Sequence, residues 1–329
     1  MKILKPIFVL LIAILVIFVA SRFYQNKNKQ QKTIVKITVG MGYIPNIQFA
    51  PFYWALEKGY FQEAGLSLDF KYGFDTDIIK LLANDQLDIG IGSGDQVILA
   101  RDQGLAIVDF YNWYRRFPVS ITSLSSKNIT KPEDLLGKKV GLPVNFGASY
   151  IGWQAFIAKT RLDTLRIDMP TIGYTQVAAL AGGKVDAAVT YRMNEPVQLA
   201  QEGFPVNNID IAPLANLVSN GLLTSEKTIK ERPQIPRAFA RAFSQGLQEV
   251  IANPDQALAI SQKYIPNLTG KNLDLARAVL NESIKFWQAD KLGENSPQAW
   301  QESVDILESL KMIKNKPPLN SLYTNQFVP

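Results

Sequence analysis

The chain has 329 residues, 47% hydrophobic and 19% charged, the composition of a folded protein with room for two ordinary domains. It contains no cysteine and no histidine, which excludes disulfides, thiolate metal sites, cysteine nucleophiles and Ser-His-Asp chemistry, and removes the usual metal ligand. The net charge of +6 does not mark a phosphate footprint: Lys2, Lys5, Arg22, Lys27, Lys29 and Lys32 lie in the first 32 residues with no acid beside them. The remainder holds 29 basic and 29 acidic residues, and no nucleic-acid partner is expected.

Residues 1–32 stand apart from the fold. Ile7 to Ala20 is an unbroken apolar run behind Lys2 and Lys5, the pattern of a secretory leader or membrane anchor. An uncleaved N-terminal anchor is the preferred reading, giving the protein a membrane contact through this segment. Cleavage near Val19-Ala20-Ser21 is the alternative. Either one puts residues 35–329 outside the cytoplasmic membrane, with Asn26 to Lys32 as a polar spacer.

Val35, Ile37, Val39 and Met41 alternate as a first strand. Gly42, Pro45 and Asn46 break it, and Phe49 to Glu63 resume at helical spacing up to Gly65. Ligands of α/β folds bind outside the carboxyl ends of strands, so Tyr43 to Phe49 is expected to wall a ligand cleft. Leu66, Leu68 and Phe70 predict a second strand, residues 75–83 a helix, Leu87 to Ile91 a strand, Ser93-Gly94-Asp95 a helix start, and Leu105 to Tyr111 another strand. The rhythm predicts a parallel sheet covered by helices.

A second unit opens at Pro118 to Leu124. Thr130 to Glu133 has the spacing of a capping box. Strands follow at 138–142 and 185–191 and helices at 149–159 and 177–181, and Asn194-Glu195-Pro196 opens a further helix to Gln201. One more strand is expected at 217–223. Four amphipathic helices then follow at 236–252, 254–264, 272–286 and 297–310. With no sheet of their own, these helices are expected to pack on the first unit. The expected division is residues 33–118 with 219–329 as lobe one and 119–218 as lobe two, the chain crossing twice.

Several stretches resemble a known family. They are Gly42-Tyr-Ile-Pro-Asn-Ile-Gln-Phe-Ala-Pro-Phe-Tyr53, Glu57-Lys-Gly-Tyr-Phe61, Leu87-Asp-Ile-Gly-Ile-Gly-Ser-Gly-Asp95, Leu135 to Pro143, Gly183 to Val189, and Arg241-Ala-Phe with Ile251 to Pro254. Together they resemble the solute-binding proteins of ABC importers for nitrate, sulfonates, taurine and thiamine-pyrimidine precursors, over about residues 35–265. The resemblance implies an α/β, two-lobed type II periplasmic-binding-protein fold with its cleft at the hinge, a helical C-terminal return and an ABC permease as partner. Pro45-Asn46 and Asn194-Glu195-Pro196 look most like the pyrimidine-precursor and riboflavin-binding branches, where a carboxylate meets ring nitrogens. The pyrimidine synthases of this fold consume a histidine shortly after the Pro-Asn pair. Here Gln48 lies in that neighbourhood and no histidine exists, so that self-consuming chemistry is excluded.

The expected ligand-binding residues are Tyr43, Asn46, Phe49, Asp95, Tyr114, Phe146, Tyr191, Asn194 and Glu195, with no catalytic residue, metal or cofactor. The aromatic residues suit a flat heterocycle, and Glu195 could accept hydrogen bonds from an aminopyrimidine or the imide edge of a flavin. Two competing readings remain. A small anion could sit at the helix start after Asn145 to Ser149 beside Arg192, or a carboxylate enzyme could use Asp95 or Glu195.

Overall fold

The computed structural model describes residues 34–329, and the expected leader or anchor lies outside them. In chain order the first elements are β1 (Val35–Gly42), α1 (Ala50–Glu57), α2 (Tyr60–Glu63), β2 (Leu66–Gly73), α3 (Asp75–Ala83), β3 (Ile89–Ser93), α4 (Gly94–Asp102) and β4 (Ile107–Asn112). The helix expected over 49–63 is in three pieces. A 3-10 turn at Ile47–Phe49 leads into α1, and Gly59, at φ 77°, turns the chain before α2. A left-handed residue ends helical hydrogen bonding, and glycine adopts that conformation at little cost.

The middle of the chain builds β5 (Val119–Leu124), β6 (Val140–Gly141), α5 (Gly147–Thr160), α6 (Gln176–Ala181), β7 (Ala187–Tyr191), α7 (Glu195–Gln201) and β8 (Val206–Asp210). β8 has no counterpart in the sequence reading, because Val-Asn-Asn-Ile-Asp carries too few apolar positions to show its period. The capping box forms one residue later than expected: the Asp134 carboxylate, not Glu133, accepts from the N–H groups of Thr130 and Lys131 at 3.0 and 3.1 Å.

The chain then returns through β9 (Asn220–Ser225) to α8 (Glu226–Glu231), α9 (Gln234–Ala252), α10 (Pro254–Ser261), α11 (Lys271–Trp287) and α12 (Pro297–Ser309). Two sheets result, ordered β2-β1-β3-β9-β4 and β6-β7-β5-β8. Neither is wholly parallel. β9 runs antiparallel between β3 and β4, and β5 is antiparallel to β7 and β8. The reason is topological: the chain leaves the first sheet at Asn112 and re-enters beside it at Asn220, paired through Asn112↔Gly221, so β9 must run back.

The two crossings, residues 113–118 and 211–219, lie side by side. The Asn220 carbonyl accepts from the N–H groups of Trp113 and Tyr114 at 3.1 and 2.9 Å, and Gly94 N–H donates to the Ser219 carbonyl at 3.1 Å. The apolar face expected of α9 (Phe239, Ala242, Phe243, Leu247 and Val250) is buried. Gly246 lets α9 approach α1 closely, since a Cβ there would meet the Pro51 carbonyl at 2.6 Å. α12 also reaches the second lobe: Glu302 pairs with Lys159 of α5 at 3.5 Å and accepts from Asn216 N–H at 3.3 Å.

Candidate functional site

Between the lobes lies a cavity of about 720 Å³. The first lobe lines it with Tyr43, Asn46, Phe49 and Tyr114, and the second with Phe146, Tyr191, Asn194 and Glu195. Of the residues expected at the site, Asp95 is the one not brought to the cavity surface. Its carboxyl is 1% exposed, with Oδ2 accepting from Gln96 Nε2 at 2.8 Å, and burial pushes its pKa up. The neighbouring Gln96 lines the cavity instead.

Local folding sets each group. Asn46 caps the 3-10 turn after β1, its Oδ1 accepting from Gln48 N–H at 3.0 Å, which fixes the loop that carries Tyr43 and Gln48. Tyr43 has φ 89°, a left-handed value that is strained for a bulky residue, and its N–H bonds the Gly73 carbonyl at 2.5 Å. The strain aims a 46%-exposed ring at the cleft. Phe49 is a wall rather than a tip, packed against Phe52, Tyr72 and Trp113. Burial holds the Tyr114 hydroxyl neutral on the floor.

Glu195 opens α7 with Pro196 behind it, a favourable first-turn pair. Its Oε2 accepts from Tyr191 N–H at 2.9 Å and its Oε1 from Gln176 Nε2 at 3.2 Å. Burial nevertheless pushes its pKa up to about 7, against the pull of its backbone hydrogen bonds. The Tyr43 hydroxyl is raised by burial and by the Glu195 charge, so the two groups sense each other across the cleft.

Lining residues of the two lobes also touch each other across the cleft. Gln48 Nε2 donates to Asn194 Oδ1 at 3.0 Å, and the rings of Phe74 and Tyr174 stack at 6.4 Å with 17° between their planes. Phe74, Tyr174 and Gln176 were missed in the sequence, yet a signal exists. Gly42-Tyr43, Gly73-Phe74 and Gly173-Tyr174 each place an aromatic after glycine in the approach to a helix, and all three aromatics line the cavity, although Gly59-Tyr60 has the same pattern and does not.

The charge of the lining is one-sided. Glu195 and Glu202 are its charged members, and no lysine or arginine is among the described lining residues. Arg192 points elsewhere, toward Asp210 at 3.5 Å and Glu282 at 3.6 Å. No group of three or more metal-ligating side chains occurs among the described residues.

A family profile described as NMT1/THI5 like matches residues 46–257. The riboflavin-binding protein RibY of Chloroflexus aurantiacus is 36% identical over 307 residues, covering 91% of this chain and 88% of its own length. The chain belongs to the NMT1/THI5-like family. Other relatives include the formylaminopyrimidine-binding protein of Halalkalibacterium halodurans, 27% identical with 91% of this chain and 92% of its own covered. A 4-amino-5-hydroxymethyl-2-methylpyrimidine phosphate synthase of Legionella pneumophila is 21% identical, with 89% and 92% covered. The aliphatic sulphonate binding protein SsuA of Escherichia coli shares the fold, with a TM-score of 0.70 at 14% identity over 87% of this chain and 96% of its own. This member of the NMT1/THI5-like family therefore has the two-lobed fold of periplasmic binding proteins, with Gln48 facing Asn194 across the cleft.

Proposed function

We propose that this protein is an extracytoplasmic solute-binding protein that closes its lobes on a flat, uncharged nitrogen heterocycle, of the riboflavin or aminopyrimidine kind, and passes it to an ABC permease. The observation that carries this reading is the lining itself: aromatic rings, side-chain amides and a carboxyl poised near neutrality, with no cation. A sulfonate or nitrate buried there would lose its water without a charged partner, which is costly. A heterocycle with N–H groups and ring acceptors finds complementary partners in Glu195, Gln176, Gln48 and Asn194.

Binding fits better than catalysis. General acid–base work on this scaffold would need a second positioned proton carrier beside Glu195, and Asp95 is sealed beneath Gln96 while Glu202 accepts from Gln198 Nε2 at 2.8 Å. A cavity of about 720 Å³ is of the size that encloses a drug-sized ligand, which favours riboflavin over a single pyrimidine ring. The cross-lobe contacts supply the closed state that such a ligand would select. The leader, and the resemblance to importer components, support the extracytoplasmic side and the permease as partner.

The test is a thermal-shift series on the full chain in detergent with riboflavin, an aminopyrimidine, taurine and nitrate, followed by mass spectrometry of the recovered ligand. A shift with a heterocycle that is recovered intact is expected. A shift with the anions alone, or a chemically altered ligand, would contradict the proposal.

A further inference from the structure

We infer that Phe74 and Tyr174 are the two jaws of an outer aromatic clamp, which takes a ring of the ligand between them at the cleft mouth. The inference rests on the heterocycle reading above and narrows it to ligands with a fused or second ring. The jaws belong to different lobes. Phe74 precedes α3 and Tyr174 precedes α6, and each is 54% exposed although it lines the cavity. Large aromatic surface left open at the rim of a ligand-sized cavity is the mark of a binding edge rather than of core packing.

The two rings form a near-parallel, offset pair across the mouth. The other stacked ring pairs among the described residues sit closer: Tyr53–Tyr264 at 4.7 Å, Trp300–Tyr323 at 5.5 Å and Trp153–Phe156 at 5.6 Å. Phe74 and Tyr174 stand at 6.4 Å while remaining within 17° of parallel. A ring held between two others needs roughly 7 Å between their planes, two van der Waals contacts of ~3.5 Å each. The two rings now stack on each other, so the jaws part by about one ring thickness to admit a ligand, a movement available to residues on two hinged lobes.

The clamp is joined to the polar end of the site by a very short segment. Gln176, two residues beyond Tyr174, donates to Glu195 Oε1 at 3.2 Å. A ligand whose hydrogen-bonding edge meets Glu195 and Gln176 therefore extends toward Tyr174 and the mouth. A single pyrimidine ring satisfies the polar end and leaves the jaws empty, whereas a fused tricycle can span both.

The experiment titrates the full chain, and its Phe74→Ala, Phe74→Leu and Tyr174→Leu variants, with riboflavin and with 4-amino-5-hydroxymethyl-2-methylpyrimidine. The flavin is followed by its own fluorescence and the monocycle by calorimetry. The clamp predicts that wild type quenches the flavin and holds it at least tenfold more tightly than the monocycle. Each variant should weaken riboflavin roughly tenfold, the scale of one aromatic contact, and relieve the quenching, with Phe74→Leu recovering little despite its apolar bulk. Any monocycle affinity should change less than twofold. Unchanged riboflavin affinity and fluorescence in the variants would overturn the clamp. So would equal losses for both ligands, which would make the pair a simple latch between lobes. A wild type that binds neither heterocycle would bring down the heterocycle reading itself, a distinguishable failure.

Discussion

Burial raises the pKa of two carboxyl groups of this protein that do different work. Asp109 and Glu195 are both pushed up to about 7 by burial, and both accept two hydrogen bonds. Asp109 is 0% exposed, in the bulge of β4, where Oδ1 accepts from Asn295 Nδ2 at 2.9 Å and Tyr111 N–H at 3.0 Å. Asn295 in turn accepts from Trp300 Nε1 at 2.8 Å, and the backbone of Asp109 bonds Leu322 and Thr324 of the C-terminal tail. Asp109 thus fastens the last segment of the chain to the sheet edge through its backbone, while its carboxyl holds Asn295. Glu195 instead faces a cavity with an aromatic partner across it. A raised pKa thus reports burial in both places, and only access to the cleft separates a ligand contact from a structural knot.

The largest expected effect breaks the knot and spares the cleft. A Cβ at Gly221 would stand 2.0 Å from Asp109 Oδ2 and 2.9 Å from the Tyr111 carbonyl, both poorly able to yield. Gly221→Ala should destabilise the fold by about 3 kcal/mol, read as a lowered urea midpoint. The molecules that remain folded should bind ligand as wild type does.

The converse variant is Glu195→Gln. It keeps an acceptor for Tyr191 N–H and removes the carboxyl, so ligand affinity should fall roughly 30-fold, about 2 kcal/mol for a hydrogen bond to a charged group, while the unfolding midpoint does not fall. Isothermal titration measures the first and denaturation the second. A variant that bound normally but unfolded early would reverse the two roles.

Proton linkage sharpens the contrast. Both groups have folded values near 7, above the ordinary 3.8 for Asp109 and 4.5 for Glu195, so the folded state holds protons that the unfolded state has released. The stability they contribute is present in full below about pH 4 and is lost as pH rises through 7. Each group bends the curve by at most about 1.4 kcal/mol per pH unit. Melting curves from pH 4 to 8 should show stability falling with pH. Asp109→Asn should flatten that fall without altering ligand affinity, and Glu195→Gln should flatten it and weaken binding.

The smallest expected effect belongs to the bridge between the lobes. Gln48→Ala removes the 3.0 Å bond to Asn194 and should weaken ligand by about 1 kcal/mol, some fivefold in Kd, with no change in the unfolding midpoint.

Much of this was legible in the chain because period and punctuation carry it. The strand before Gly42, the apolar face of α9 and the loop from Tyr43 to Phe49 were all visible in the order of residues. The reversal of β9 was not, since direction is fixed by where the chain re-enters the first sheet and not by local pattern. Asp95 was misleading for a related reason: its position after β3 is that of a cleft residue, but α4 turns the carboxyl inward and leaves Gln96 at the surface. Phe74 and Tyr174 were overlooked because each alone is one more aromatic in a loop. Their meaning comes from a contact 100 residues apart in sequence.

The most direct measurement is calorimetric titration of the full chain with riboflavin and, separately, with taurine, at pH 6 and pH 8. Binding of one riboflavin per chain, recovered unaltered, with no heat from taurine, is the expected result. Tight taurine binding without a riboflavin signal would contradict a cavity whose lining offers a carboxyl and no cation.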